Sequence, residues 1–375
     1  MPRNLLLIGG GHSHVEVIRR WGLAPEPGVS VTLVSPDRHT PYSGMLPGYI
    51  AGHYGFDECH IDLDAVCMQA GVTLIGSSAG EIDFSARVAR CCQAPDQPFD
   101  ILSIDTGSTP VLANLPGADR YGIAVKPVAQ FLEHWAQLRE AAQTAPRPLH
   151  VVVVGAGAAG VEVILAMKHR IDFDKGRAVF TLIGDGPAIL GVHPRGVQQR
   201  FMTIVQDQQI TVRLDTAVER VSAGTLLLRG GEKLAFDEVI WVTGAAAPAW
   251  PRNSGLQTNA AGFIAVDKHL QSLSHPGVFA AGDIASMMDA PRPKSGVYAV
   301  RQGPPLAENL RKALRGETLL EYRPQTRALA LISAGDRYAV ASYGPLALSG
   351  AWVWRWKNRI DTAFMQRYRA AGRHP

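Results

Sequence analysis

The chain opens on an apolar run, residues 4–8, that stops at Gly9-Gly10-Gly11 and is followed by a predicted helix through Val15, Val17 and Ile18. A second apolar run, 29–34, comes at crossover distance. Continuously apolar strands on either side of a helix predict a parallel βαβ unit, because such strands are buried on both faces. The plan recurs in mid-chain: a run over 150–154, a glycine turn from Gly155 to Gly160, a helix over 161–169 and a strand over 179–183. Further strands are predicted over 72–75, 100–104, 238–242 and 278–280. The last of these reads as a return to the first unit. A Pro/Gly-rich segment covers 40–52, and 110–126 reads as a crossing between units.

The predicted fold class is therefore α/β, with two Rossmann-like three-layer dinucleotide-binding domains. The first domain takes residues 1–115 and 255–320, the second 116–254, and residues 321–375 form a small β-unit with an amphipathic helix. Residues 149–167 are almost wholly apolar and near membrane-span length, but Gly155, Gly157 and Gly160 interrupt them. Strand, turn and helix are expected there and no transmembrane segment. The apolar residues 5–8 follow Met1 so closely that no export leader is expected.

Composition narrows this only slightly. With 375 residues, 46% hydrophobic and 19% charged, the chain has the make-up of a soluble protein of two or three domains. The net charge of +4 is unevenly placed: from Arg301 onward thirteen Lys/Arg face five Asp/Glu, a surplus of eight, leaving −4 for the rest. No nucleic-acid partner is expected. The four cysteines, at 59, 67, 91 and 92, match neither a zinc-site nor a CxxC spacing. They read as reduced and structural, in keeping with a cytoplasmic location, with Cys91 and Cys92 back to back on one strand.

A dinucleotide pyrophosphate needs a turn whose backbone approaches it closely and a helix start whose free N–H groups favour anions. Gly155-Ala156-Gly157-Ala158-Ala159-Gly160 meets the full GxGxxG pattern between strand and helix. The N-terminal copy, Gly9-Gly10-Gly11-His12-Ser13-His14, keeps two motif glycines and places His14 where the third would stand. His12 and His14 lack a carboxylate or cysteine at supporting spacing, so no metal is expected. The acid that usually takes the adenosine ribose at the end of the second strand is replaced by Ser35 in the first copy, and by Gly184 followed by Asp185 in the second. Asp185 would repel a 2′-phosphate, which favours NADH over NADPH.

These phrases, with Thr106-Gly107, Thr243-Gly244 and the segment 277–283 ending in Gly282-Asp283, resemble over about the first 320 residues the pyridine nucleotide-disulfide oxidoreductase superfamily. The phrase from His39 to Gly48 resembles its type II NADH dehydrogenase branch, and within it the flavoprotein module fused to, or encoded beside, selenophosphate synthase. The resemblance implies FAD on the first domain and NAD(P)H on the second. It places Asp283 on the ribityl chain, Pro41, Tyr42 and Leu46 by the flavin, and Ser295 and Tyr298 on the opposite wall, and adds Ala79 to the FAD-binding set. Lys294 would stabilise the reduced ring or be a solvated helix-start lysine; Glu162 would lie near the nicotinamide or be a helix-start acid. Electrons would pass to a quinone or other small acceptor. The CxxxxC pair of thiol-using relatives is missing, which speaks against sulfide or selenide oxidation; a slow redox-sensing partner in selenium metabolism stays open.

The C-terminal helix bears on the acceptor. Trp352, Trp356, Ile360 and Phe364 recur at helical spacing among Arg355, Lys357, Arg359, Arg367 and Arg369. A basic amphipathic helix with tryptophans suits the inner face of an anionic membrane, and equally a protein surface.

Overall fold

A computed structural model describes residues 3–112 and 115–369. Two five-stranded parallel sheets organise the chain. The first runs in the order Val278–Ala280, Ile101–Ile104, Arg3–Ile8, Val29–Ser35, Thr73–Gly76. The second runs Ile123–Ala124, Glu238–Trp241, Leu149–Val154, Ala178–Ile183, Thr211–Arg213. In both, the strand leading into a glycine turn is central, with its βαβ partner on one side and the strand that ends in Thr-Gly on the other. Four strands follow the same plan in both sheets, but the fifth differs: Val278–Ala280 closes the first from far along the chain, whereas Ile123–Ala124 closes the second from before its glycine turn.

Burial explains why these runs are apolar throughout. Leu5, Leu6 and Leu7 are at most 1% exposed and Val151, Val152 and Val153 are wholly enclosed, because helices cover one face and antiparallel strands the other. The covering strands are Ala79–Asp83 with Val88–Cys91 and Gln97–Pro98 on the first sheet, and Val218–Ser222 with Thr225–Leu228 and Lys233–Ala235 on the second. Cys91 ends its strand and Cys92 lies just beyond it, exposed, so the vicinal pair does not share the strand as expected. Residues 149–167 form strand, turn and helix. Among the described residues no helix is long and apolar enough to cross a membrane.

The helix His12–Leu23 packs on the helix Gly296–Arg315. A Cβ at Gly303 would lie 2.7 Å from the Glu16 Cβ, so only glycine lets the two backbones come this close. Ser13 Oγ donates to the Ala299 carbonyl (2.7 Å), while buried Glu16 accepts from Arg19, Arg20 and the Tyr368 hydroxyl. The chain ends in an antiparallel β-unit, Ala330–Ser333, Ala339–Tyr343 and Leu346–Gly350, followed by the helix Ala351–Gln366.

Replacing Gly303 by valine forces the two helices apart, and overpacking of this kind costs about 1–3 kcal/mol. Urea unfolding of Gly303→Val is expected to show a lowered midpoint at an unchanged slope. A midpoint equal to the wild type's would contradict the close approach.

Candidate functional site

Each glycine turn is pressed against the strand beside it. A side chain at Gly9, whose φ is +91°, would meet the Asp105 carbonyl at 2.5 Å. One at Gly160 would meet the Gly155 carbonyl at 1.8 Å. Gly10 sits among Leu63, Thr40 and Ser35, and Gly11 against Asp105, while Gly157 faces open space at the start of the helix Ala158–Phe173. Neither helix start has a side-chain cap on the residue before it, Gly11 or Gly157. The second thus presents backbone N–H groups and the positive end of the helix dipole to an incoming anion, whereas at the first the Ser13 and His14 N–H groups donate to Asp105 Oδ2 (2.8 and 3.2 Å).

His14 departs from expectation. Its ring is fully buried, with Nδ1 2.7 Å from the Gly9 carbonyl and Nε2 2.8 Å from Ser103 Oγ, so it ties the turn to the neighbouring strand. Both ring nitrogens are thus taken by the protein, and burial pushes the ring down to about 4. It is a brace of the turn and not a side-chain ligand. His12 is the opposite case. Its Nε2 is enclosed and has no hydrogen-bond partner, and its ring lies between Tyr42 (5.6 Å) and Phe364 (6.3 Å). Burial likewise pushes it down to about 4. An orphaned buried nitrogen beside a glycine cradle fits a polar cofactor group.

The remaining expected residues fall around this cradle. Ser35 is buried and donates to the Asp37 carbonyl (3.0 Å). Ala79 opens the covering strand, and Thr106 and Gly107 follow the strand Ile101–Ile104. Asp283 is held by Lys126 Nζ (3.1 Å) and Ser108 Oγ (3.3 Å), two partners the sequence did not announce. Gly282 donates its N–H to Gln302 Oε1 at 2.7 Å. Gly282, Asp283, Lys294, Ser295, Tyr298 and Gln302 line one cleft. Lys294 is not solvated: its ammonium bonds the Ala285 carbonyl and lies 4.1 Å from the centre of the Phe263 ring, and burial pushes it down to about 8. The Thr-Gly segments meet across the molecule, Thr109-Pro110 pairing with Ala245-Ala246, and Thr243 Oγ1 reaching the Val111 carbonyl at 3.2 Å. Gly244 accepts from the Val111 N–H.

A second cluster joins the first domain, the second glycine helix and the C-terminal helix. Pro41 lies in the short strand His39–Pro41, and Leu46 starts a helical turn that packs into the second core. The Tyr42 hydroxyl donates to Asp361 (3.2 Å) and its ring stacks on Phe364 at 4.5 Å; burial and Asp361 push the phenol up. Lys357 bonds Asp361 (2.6 Å) and the Gly44 carbonyl. Glu162 accepts from the N–H (2.7 Å) and hydroxyl (2.8 Å) of Ser333. Burial pushes the Glu162 carboxyl up, against the lowering effect of Lys357 and of Ser333. Lys357, expected on the basic outer face, is thus buried. Trp352, Trp356 and Ile360, expected on the apolar stripe with Phe364, are 47%, 39% and 42% exposed; Val353, Phe364 and Met365 form the packed face instead.

The thiols lie outside both clusters. Cys59 and Cys67 are buried and pushed up to about 12, so each stays a protonated thiol near neutrality. No group of three His, Cys, Asp or Glu side chains among the described residues could hold a metal.

The family model described as pyridine nucleotide-disulphide oxidoreductase matches residues 3–303. The chain belongs to that family. FAD and a pyridine nucleotide are the cofactors of that family. An NADH dehydrogenase-like protein of Mycobacterium tuberculosis is 28% identical over 239 residues, 61% of this chain and 59% of that protein. A demethylphylloquinone reductase of Synechocystis is 29% identical over 260 residues, 67% of this chain and 63% of that protein. The match thus spans about three-fifths of either relative. Among solved structures, the sulfide:quinone oxidoreductase of Aquifex aeolicus superposes with a TM-score of 0.81 at 16% identity, covering 98% of this chain and 91% of its own.

Removing the cation from the second cluster leaves Asp361 and Glu162 buried without it. Breaking such a pair costs about 3–5 kcal/mol, whereas replacing both partners by apolar groups is often close to neutral. Lys357→Met is therefore expected to lower unfolding stability by that amount and Lys357→Met/Asp361→Leu to regain most of it. Equal losses in the single and double variants would contradict the pairing.

Proposed function

We propose that the chain is an NADH dehydrogenase that passes electrons through FAD to a quinone at an anionic membrane surface. The observation that carries this reading is the duplicated cradle: two helix starts, each on a five-stranded parallel sheet and each behind a glycine turn too tight for a side chain. The names of the Mycobacterium and Synechocystis relatives support the donor and the acceptor class. When bound, the flavin supplies two-electron acceptance from a reduced nicotinamide and release of those electrons to the acceptor.

The chain's own residues bind, orient and handle protons. In the second cradle, Gly184 N–H bonds the Arg213 carbonyl, and Asp215 and Thr216 bond back to Gly186 and Gly184. Asp185 and Asp215 therefore stand on two loops tied together at the ribose end, while Arg213 is engaged by Glu232 at 2.7 Å. Two carboxylates there disfavour a 2′-phosphate, which supports NADH over NADPH. Reduction of a quinone consumes protons, and Glu162, whose carboxyl burial pushes up against the lowering effect of Lys357, is placed as a candidate to relay one. The protonated, buried state of Cys59 and Cys67 favours a route that uses no thiol.

The outward side of the C-terminal helix supports the membrane surface. Trp352 and Trp356 stack with centroids 6.5 Å apart, Ile360 continues their line, and the adjoining strand exposes Leu346 and Leu348. Arg355, Arg359, Arg367 and Arg369 are exposed nearby. Apolar and aromatic groups among arginines match the headgroup boundary of an anionic bilayer.

Anaerobic addition of NADH to the flavin-loaded protein is expected to bleach the flavin absorbance. No bleaching by NADH or NADPH would reject the donor half. Rapid steady-state oxidation of NADH by a soluble quinone is expected; very slow turnover would favour a redox-sensing role, such as the selenium-linked one that the His39–Gly48 phrase suggests. In co-sedimentation, vesicles containing phosphatidylserine should pull down the wild type, and Trp352→Ser/Trp356→Ser/Ile360→Ser should stay in solution with its NADH-dependent bleaching intact. Equal sedimentation of the two proteins would contradict the lipid contact.

A further inference from the structure

Asp105 is an acid where the chain has no evident need of one. It follows the apolar strand Ile101–Ile104 and is 2% exposed. Its Oδ2 accepts from the N–H groups of Ser13 (2.8 Å) and His14 (3.2 Å), and its carbonyl accepts from Gly11 N–H (3.1 Å). The carboxyl thus sits on amides of the helix start expected to face a pyrophosphate. It is walled in by two glycines. A Cβ on Gly11 or Gly282 would lie 2.3 or 2.2 Å from it, so both turns leave this space to the acid.

The charged surroundings do not favour an anion. Asp283 faces it from the turn after Val278–Ala280, and Lys126 is spent on Asp283 and Ser108. His12 and His14, on the first helix, are both held neutral by burial. The helix Gly296–Arg315 brings the neutral Ala299 and Gln302 to Gly282 and Ser13. Among the described residues no lysine or arginine bonds Asp105. Burial, with Asp283 adding to it, pushes the carboxyl up to about 7.

A dinucleotide brings two further negative charges to this helix start. An ionised carboxylate and a pyrophosphate compete for the same amides and repel each other where the dielectric is low. A neutral carboxyl does neither, and its O–H becomes a donor. We propose that Asp105 is a proton-carrying positioning residue of the FAD site: FAD binds together with one proton, taken up on the Asp105 carboxyl, and is held less tightly as the pH rises. This rests on the assignment of the first cradle to FAD.

The sign follows from linkage. Below about pH 7 the carboxyl is already neutral in the flavin-free protein, so the affinity does not depend on pH. Above it, binding must first draw a proton, and Kd rises by up to about tenfold per pH unit. Titration of flavin-stripped protein with FAD, followed by flavin fluorescence from about pH 6 to about pH 9, is expected to show that profile. Asp105→Asn, which keeps an acceptor for the two amides, is expected to match the wild type at the acid end and to stay flat. Calorimetry in buffers of different ionisation enthalpy at about pH 8 is expected to find close to one proton taken up per FAD by the wild type and none by the variant. A wild type that binds FAD without proton uptake, or a variant that retains the slope, overturns the proposal and leaves the FAD site standing. If the variant does not fold, the wild-type proton count decides alone. Failure to bind FAD at any pH would overturn the cofactor assignment itself.

Discussion

The structure depends on how closely the Gly9–Gly11 turn approaches the end of the strand Ile101–Ile104. The Gly9 Cα lies against the Asp105 carbonyl, and the Gly11 N–H bonds that same oxygen. This contact fixes where the first helix starts and which way its leading amides point. It also places Asp105 beneath them and Gly282-Asp283 across from them. The second cradle repeats the contact between Gly155 and the Val242 carbonyl, where a Cβ would fall at 2.2 Å. The same backbone constraint thus recurs on two parallel sheets that share four of their five strand positions, and it sets a helix start behind each glycine turn.

To the apolar packing of Leu46 on the second core and the pairing of Thr109-Pro110 with Ala245-Ala246, the late part of the chain adds a polar link between the copies. The C-terminal helix sets Lys357 and Asp361 against Gly44 and Tyr42 of the first unit, while the β-unit before it gives Ser333 to Glu162 of the second. One lysine faces two enclosed carboxylates, so the neighbourhood is short of positive charge. Burial pushes the Glu162 carboxyl up, and Asp361 adds to it against Lys357 and Ser333. The same helix leaves its tryptophans outside. One element therefore buries the Lys357–Asp361 pair with one face and offers an apolar stripe with the other.

Much of this was legible in the sequence, and the reasons are physical. Glycine turns between apolar runs can do little besides bend tightly, so both cradles and the return of Val278–Ala280 to the first sheet followed from local pattern. Partners distant in the chain did not. Lys126 lies 157 residues from Asp283 and Ser333 171 residues from Glu162, and no spacing rule links them. Asp105 drew no reading of its own, although an acid immediately before Thr-Gly was a signal that could have been noticed. His14 looked like a defect in the motif because its two ring bonds, to Gly9 and Ser103, appear only in three dimensions. On the C-terminal helix, Lys357 and Asp361 at i,i+4 look the same whether solvated or buried, so the burial of Lys357 was not legible.

The central claim is that the two cradles hold separate dinucleotides, and Gly157 gives direct access to it. A Cβ there would meet nothing within 4 Å, so Gly157→Asp can fold while placing a carboxylate at the second helix start. The decisive measurement is the flavin content of this variant together with its anaerobic reduction by NADH. The account predicts a full complement of FAD and loss of rapid reduction, because the added charge repels only the nicotinamide dinucleotide. Reduction at the wild-type rate, or loss of FAD from the variant, would contradict it.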